Sequence, residues 1–181
     1  MKGRLFEFLK ALQFERNKKA DRVLELMAGC GRNYDVFNRF FKNIEMLEQS
    51  PKMTKFFNEK IRKHQVKVQE FNWPYKYYDN ITCIWGFCYL DNDEQVNLLR
   101  NMDQALKDGA HAIIFEPILS AEEEQKTRIH VIEKQQMAIR PVALYDTFFK
   151  LYHWDRMDKQ IFKKEGINNE DMVGFVYQKI Y

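Results

Sequence analysis

The sequence has 181 residues, is 45% hydrophobic and 30% charged, and carries a formal net charge of +3. Such values fit one globular domain with a substantial core and exclude a disordered chain. No apolar run approaches the ~18 residues needed to cross a bilayer, and so small a charge leaves no global nucleic-acid footprint.

The apolar residues Leu5, Phe8, Leu9 and Leu12 recur at helical spacing and predict an amphipathic helix over 3–15. Arg22–Leu26 reads as a short buried strand, Phe37, Phe40 and Phe41 return to helical spacing, and Ile44–Leu47 is a second strand. Ser50-Pro51 opens a helix, because serine caps and proline fits the first turn; Met53, Phe56, Phe57 and Ile61 give it an inner face. Val66, Val68 and Phe71 suggest a third strand, and Ile81–Trp85 a fourth.

Asp91 with Glu94 resembles a capping box. Val96, Leu99, Met102 and Leu106 line the helix behind it, which Gly109 ends. Ala112–Ile118 is a buried fifth strand. Residues 121–139 are charged and read as helical, Leu144–Tyr152 is an aromatic helix, and strands near Gln160–Lys163 and Val173–Gln178 close the chain. Strands alternating with helices imply βαβ units and a mostly parallel sheet with helices on both faces. No convincing helix separates the last two strands, so they are expected as an antiparallel hairpin at one edge. The whole chain, 1–181, reads as one domain with an N-terminal helix in 1–20.

The stretch VLELMAGCGR, Val23 to Arg32, places two of seven glycines two residues apart just after the first strand. In an open α/β sheet ligands sit at the carboxyl ends of the strands. Gly29 and Gly31 let backbone approach a ligand with no Cβ in the way. The helix that follows points its N–H groups at an anion, and Arg32 adds a fork of donors suited to a carboxylate. Glu48 ends the second strand about twenty residues downstream, where a carboxylate can accept both hydroxyls of a ribose. The pair argues for a nucleoside-containing ligand.

VLELMAGCGR resembles motif I of class I S-adenosylmethionine-dependent methyltransferases, with Met27 in place of the usual first glycine. MLEQSPKM, VQEF, YDNITCIW and LKDGAHAIIFEP resemble that superfamily's ribose-binding second strand, adenine-framing segment, fourth strand and passage into strand five. Order and spacing are most similar to the eukaryotic protein N-terminal α-amine methyltransferases, from about Gly3 to Tyr181. The resemblance implies a Rossmann-like seven-stranded sheet, a cofactor-binding half over 21–120, and substrate-side helices and a C-terminal hairpin over 121–181. It implies S-adenosylmethionine as cofactor, held by Glu25, Ala28, Gly29, Gly31, Arg32, Glu48, Gln49, Val68 and Gln69. Trp85 and Tyr89 would line the acceptor channel, with Glu116 as the polar group at the reacting end.

Several amine-handling positions of that family differ here. Pro117 stands where it carries asparagine, Tyr89 where it carries histidine and Ile84 where it carries glutamine; its helix aspartate falls near Gln135 or Glu133. Three readings follow: methyl transfer to a protein amine or another small acceptor, methyl transfer that depends on a partner, or a pseudo-methyltransferase serving as a binding or structural subunit of a complex. WPYKYYD, Trp73 to Asp79, either packs its rings on the core, forms a lip over the cofactor or meets a partner, and the cluster Tyr145, Phe148, Phe149, Tyr152 and Trp154 either covers the sheet or meets a partner.

His64, His111, His130 and His153 lack metal-ligand spacing, and Cys30, Cys83 and Cys88 fit neither a zinc site nor a disulfide framework, so no metal is expected. The reducing context that this implies is intracellular, cytoplasmic or nuclear. The basic first twenty residues also suit a mitochondrial address, although Glu7 and Glu15 interrupt them.

Overall fold

The computed structural model describes residues 2–11, 22–118, 128–132, 135–162 and 171–180. In chain order the elements are α1 (Lys2–Ala11), β1 (Arg22–Leu26), α2 (Tyr34–Phe37), β2 (Asn43–Leu47), α3 (Pro51–Thr54) and β3 (Arg62–His64). Then come β4 (Tyr78–Ile84), α4 (Asn92–Ala105), β5 (Leu106–Ile118), β6 (Arg128–Ile132), β7 (Gln135–Ile139), α5 (Val142–Lys150), β8 (Trp154–Phe162) and β9 (Asp171–Lys179). Short 3-10 turns occupy Val68–Glu70 and Phe87–Tyr89.

Seven strands form one sheet in the order β3-β2-β1-β4-β5-β9-β8. The first five run parallel; β9 pairs antiparallel with both β5 and β8. The expected parallel sheet with an antiparallel C-terminal edge is the observed one. The central strands β1, β4 and β5 are largely buried on both faces, as a parallel sheet covered by helices requires. Leu24, Leu26, Ile81 and Ile114 face a core shared with Leu98 and Met102 of α4 and Tyr145 and Phe149 of α5. Val23, Ile113 and Phe115 face the opposite core, with Leu5, Phe8 and Leu9 of α1 and Phe37 of α2.

The second aromatic cluster belongs to this interior, which decides between its two readings for the one in which it covers the core. Tyr145, Phe149 and Trp154 are buried, and the Phe149 and Tyr177 rings stack at 3.7 Å. In the WPYKYYD stretch Trp73 and Tyr78 are buried, and Tyr75 is the ring left in solvent.

Four elements differ from expectation. The helix opened by Ser50-Pro51 lasts one turn; its apolar residues do not share an inner face, since Met53 and Phe56 are 45% and 63% exposed. The third strand is Arg62–His64, not the Val66–Phe71 stretch. Its polar residues are held at the sheet edge by the buried Glu45 of β2, which shares a 2.8 Å hydrogen bond with His64 and accepts one from Arg62 at 3.4 Å. α4 ends at Ala105, and Gly109 lies inside β5. Within 121–139, where a helix was expected, the described residues form the antiparallel hairpin β6–β7; residues 119–127, 133 and 134 lie outside the description. Buried Met137 and Ile139 pack this hairpin on Cys88, so alternation and not helical periodicity organises it.

Among the described residues no helix is long and apolar enough to cross a membrane.

Candidate functional site

From β1 the chain moves outward to β2 and β3, then returns to β4 on the other side of β1. The crevice at this switch in strand order is where an open α/β sheet holds its ligand. A cavity of about 740 Å³ opens there, within the usual range for a small-molecule site.

The loop after β1 forms one wall. Gly29 takes φ +57°, and a Cβ built on it meets nothing within 4 Å, so the space beside it is open to a ligand. Gly31 has another task. It takes φ +71°, does not line the cavity, and a Cβ there would fall 2.8 Å from Phe57 Cδ1. The loop turns sharply because both positions accept a conformation most residues resist. Met27, in the same region at φ 51°, lines the cavity without that freedom.

Two carboxylates face the cavity from neighbouring strand ends. Glu48, just past β2, accepts hydrogen bonds from the backbone N–H of Gly29 at 2.9 Å and of Ser50 at 2.8 Å. It joins the glycine loop to the second strand and keeps lone pairs for hydroxyl donors. Glu25, in β1, is 1% exposed. Asn33 Nδ2 donates to its Oε1 at 2.7 Å, while Glu25 Oε2 and Asn33 Oδ1 have no partner. Burial pushes the Glu25 carboxyl up to about 8, partly offset by the Asn33 hydrogen bond and the Arg32 charge. Two orphaned acceptors on a buried wall call for a donor, and a charge-bearing one most of all.

Of the residues singled out from the sequence, Glu25, Ala28, Gly29, Arg32, Glu48, Gln49, Val68, Gln69, Trp85 and Tyr89 line this cavity. Gln69 donates to Glu94, which also lines the cavity, at 3.0 Å. The Arg32 guanidinium lies 5.7 Å from the Trp85 ring centroid, and the Trp85 indole N–H donates to Met172 Sδ at 2.9 Å.

Glu116 is placed differently. It is fully buried and does not line the cavity. Its Oε1 accepts from the N–H groups of Gly86 and Phe87 at 2.8 and 2.9 Å, and its Oε2 from that of Cys88 at 3.0 Å. This corrects the expectation that it stands at the reacting end. Burial raises its pKa to about 7, with the three N–H groups pulling the other way. Gln135 lies in β7, and Glu133 is outside the description.

Asn33 was not singled out from the sequence. The available signal was a polar side chain directly after GCGR, at the N-cap of α2, eight residues from the acid it touches.

The arrangement fits an amino acid joined to a nucleoside. Glu25 and Asn33 bring unpartnered acceptors to it, Arg32 a guanidinium and Glu48 a second carboxylate, with Val68 and Gln69 on the same lining. A model of a methyltransferase domain matches residues 1–165. The chain belongs to the methyltransferase domain family.

Its fold is that of class I methyltransferases. An S-adenosylmethionine-dependent methyltransferase from Leishmania major superposes with a TM-score of 0.79 at 16% identity, over 97% of this chain and 70% of the other. The 1,6-didemethyltoxoflavin-N1-methyltransferase of Burkholderia thailandensis, solved with S-adenosylhomocysteine, superposes at 0.80 and 13% identity, over 99% and 78%. The cyclase SpnF superposes at 0.75 and 10% identity, over 98% and 81%. No curated protein matches the chain. The cyclase makes plain that this fold carries more than one chemistry, so function rests on the site residues.

Proposed function

We propose that this protein binds S-adenosylmethionine and transfers its methyl group to a neutral amine, of a protein N-terminus or of a smaller acceptor. One observation carries the reading: Glu25 in β1 and Glu48 just past the neighbouring β2 both face a single cavity whose size suits a nucleoside joined to an amino acid, and Glu25 keeps an unpartnered oxygen. Glu25 and Asn33 would hold the ammonium of the methionine part, Arg32 its carboxylate, Glu48 the ribose, and Val68 with Gln69 the adenine edge. Bound S-adenosylmethionine supplies a methyl group on a positively charged sulfur.

The protein's share of the work is position and exclusion of water. Trp85 and Tyr89 line the cavity and would be the wall against which an acceptor lies. A model-peptide α-amine has a pKa of roughly 7.7–8.0, so a useful fraction is already neutral at working pH without a strong base. The choice of a protein α-amine draws on the motif order and spacing described above.

Calorimetry with S-adenosylmethionine and S-adenosylhomocysteine tests the reading first, and a radiolabelled methyl assay on a panel of N-terminal peptides and small amines tests the acceptor. Absence of binding at millimolar ligand would remove the enzyme reading. Binding with no transfer to any acceptor would assign the chain a binding role within a complex.

A further inference from the structure

We infer that Glu116 and Arg140 are a pair of positioning residues that grip the loop behind the acceptor wall and so place Trp85 and Tyr89. What the cavity holds rests on the methyltransferase reading; the grip itself is geometric.

The loop Gly86–Leu90 follows β4, with Trp85 just before it and Tyr89 within it, and both line the cavity. Its N–H groups and its carbonyl groups are drawn to opposite charges. Glu116, at the end of β5, takes three successive N–H groups, those of Gly86, Phe87 and Cys88. Arg140, just after β7 and 2% exposed, takes carbonyls: Nη2 donates to Leu90 O at 2.6 Å and Nη1 to Phe87 O at 3.3 Å. Its Nε reaches Asn92 Oδ1 at 3.2 Å, and Nη1 also reaches Ala138 O at 3.3 Å. Gln95 Nε2 donates to Phe87 O at 2.7 Å.

Taking two ionisable side chains out of water is costly. Closing so short a loop does not require that outlay, since N–H and carbonyl groups can pair within the chain or with water. What the pair adds is a single geometry. Trp85 is a bulky residue at φ 58°, a conformation that persists only where its surroundings impose it. Its N–H donates to Phe115 O at 2.8 Å, next to Glu116 on β5, so one strand end fixes both Trp85 and the loop after it.

Fluorine NMR of protein labelled with fluorotryptophan tests this. The three tryptophans give three lines, and Trp85→Phe assigns one of them. Glu116→Gln places an amide N–H₂ against backbone donors, and Arg140→Met removes the donors to the carbonyls. In both we expect the Trp85 line to broaden or split while the Trp73 and Trp154 lines hold. S-adenosylhomocysteine affinity should stay within about threefold of wild type, under 1 kcal/mol. Arg140→Lys keeps the charge but reaches fewer carbonyls, and should give an intermediate spectrum even if the stronger variants fail to fold.

A Trp85 line unchanged in folded variants would overturn the inference. So would parallel changes in all three tryptophan lines in Arg140→Lys, which would make the pair merely structural. Failure of wild-type protein to bind S-adenosylhomocysteine would sink the methyltransferase reading, and the Trp85 line would still decide the grip.

Discussion

The backbone N–H of Gly29 donates to Glu48 Oε2 at 2.9 Å, joining the loop after β1 to the end of β2 across 19 positions of sequence. One carboxylate thereby shapes the wall of the cavity and faces into it. Glu48→Ala should weaken S-adenosylhomocysteine binding about tenfold or more, the loss of a charge-assisted hydrogen bond. It should also cost about 1–3 kcal/mol of stability, because the Gly29 and Ser50 donors lose their partner. Calorimetry and urea unfolding check the two effects separately; unchanged affinity would remove the ribose assignment.

Glu25→Gln should separate the two halves of the ligand. The variant loses the charge proposed to face the ammonium, so S-adenosylhomocysteine should bind at least about tenfold more weakly. Methylthioadenosine, which has no amino-acid group, should bind as it does to wild type. Equal losses for both ligands would place Glu25 at the nucleoside instead.

Protonation gives a third expectation. Glu25 titrates at about 8 in the folded chain, so at pH 7 it is mostly neutral, and pairing with an ammonium requires it to lose that proton. Binding of S-adenosylhomocysteine at pH 7 should therefore release a proton, and affinity should rise from pH 6 to 8. Calorimetry in buffers of different ionisation enthalpy reads the release; Glu25→Gln should abolish it.

The same carboxyls set the pH dependence of stability. Glu25 and Glu116 are raised from 4.5 to about 8 and about 7. Between pH 4.5 and 8 the unfolded chain has lost protons that the folded chain still holds. Stability should fall as pH rises through that window, by up to ~1.4 kcal/mol per unit for each group. Glu45 has the opposite sign: burial would raise it, but His64, Arg62 and Tyr78 together hold it below 4.5, so its contribution is lost on acidification. Urea midpoints at pH 5 and 8.5 measure the fall, and Glu25→Gln should flatten it.

The two loop glycines should respond differently to alanine. At Gly29 there is room for a Cβ, so Gly29→Ala should cost only the left-handed backbone, about 1–2 kcal/mol, while placing a methyl group in the cavity and weakening ligand binding. At Gly31 the Cβ would press on Phe57 as well, so Gly31→Ala should destabilise the fold more than Gly29→Ala does. Thermal melts paired with calorimetry distinguish them.

The parts legible in the sequence are those whose cause is local. Arg22–Leu26 and the strand containing Ile44–Leu47 could be read because a short apolar run between turn signals buries both faces. The Asp91 and Glu94 box could be read because both partners lie within one helical turn, at 2.8 and 3.0 Å. The glycine loop and Glu48 were legible as a pair because the spacing between two adjacent parallel strands is set by one intervening helix. Even there, which glycine faces the ligand was not, since only the position of Phe57 assigns Gly31 to packing.

Tertiary structure decided what depends on partners far along the chain. Glu116 reads as an acid at the end of a strand, but its place is set by N–H groups 28 to 30 residues earlier. The charged stretch 121–139 read as a helix; the described part is a hairpin packed on Cys88 and ended by Arg140, which reaches the carbonyls of Phe87 and Leu90 about fifty residues away. Hydrophobic pattern and turn chemistry act over a few residues and leave their mark in the order of side chains. A buried charge is satisfied by whatever the fold brings within 3 Å of it, and no run of neighbouring residues encodes that distance.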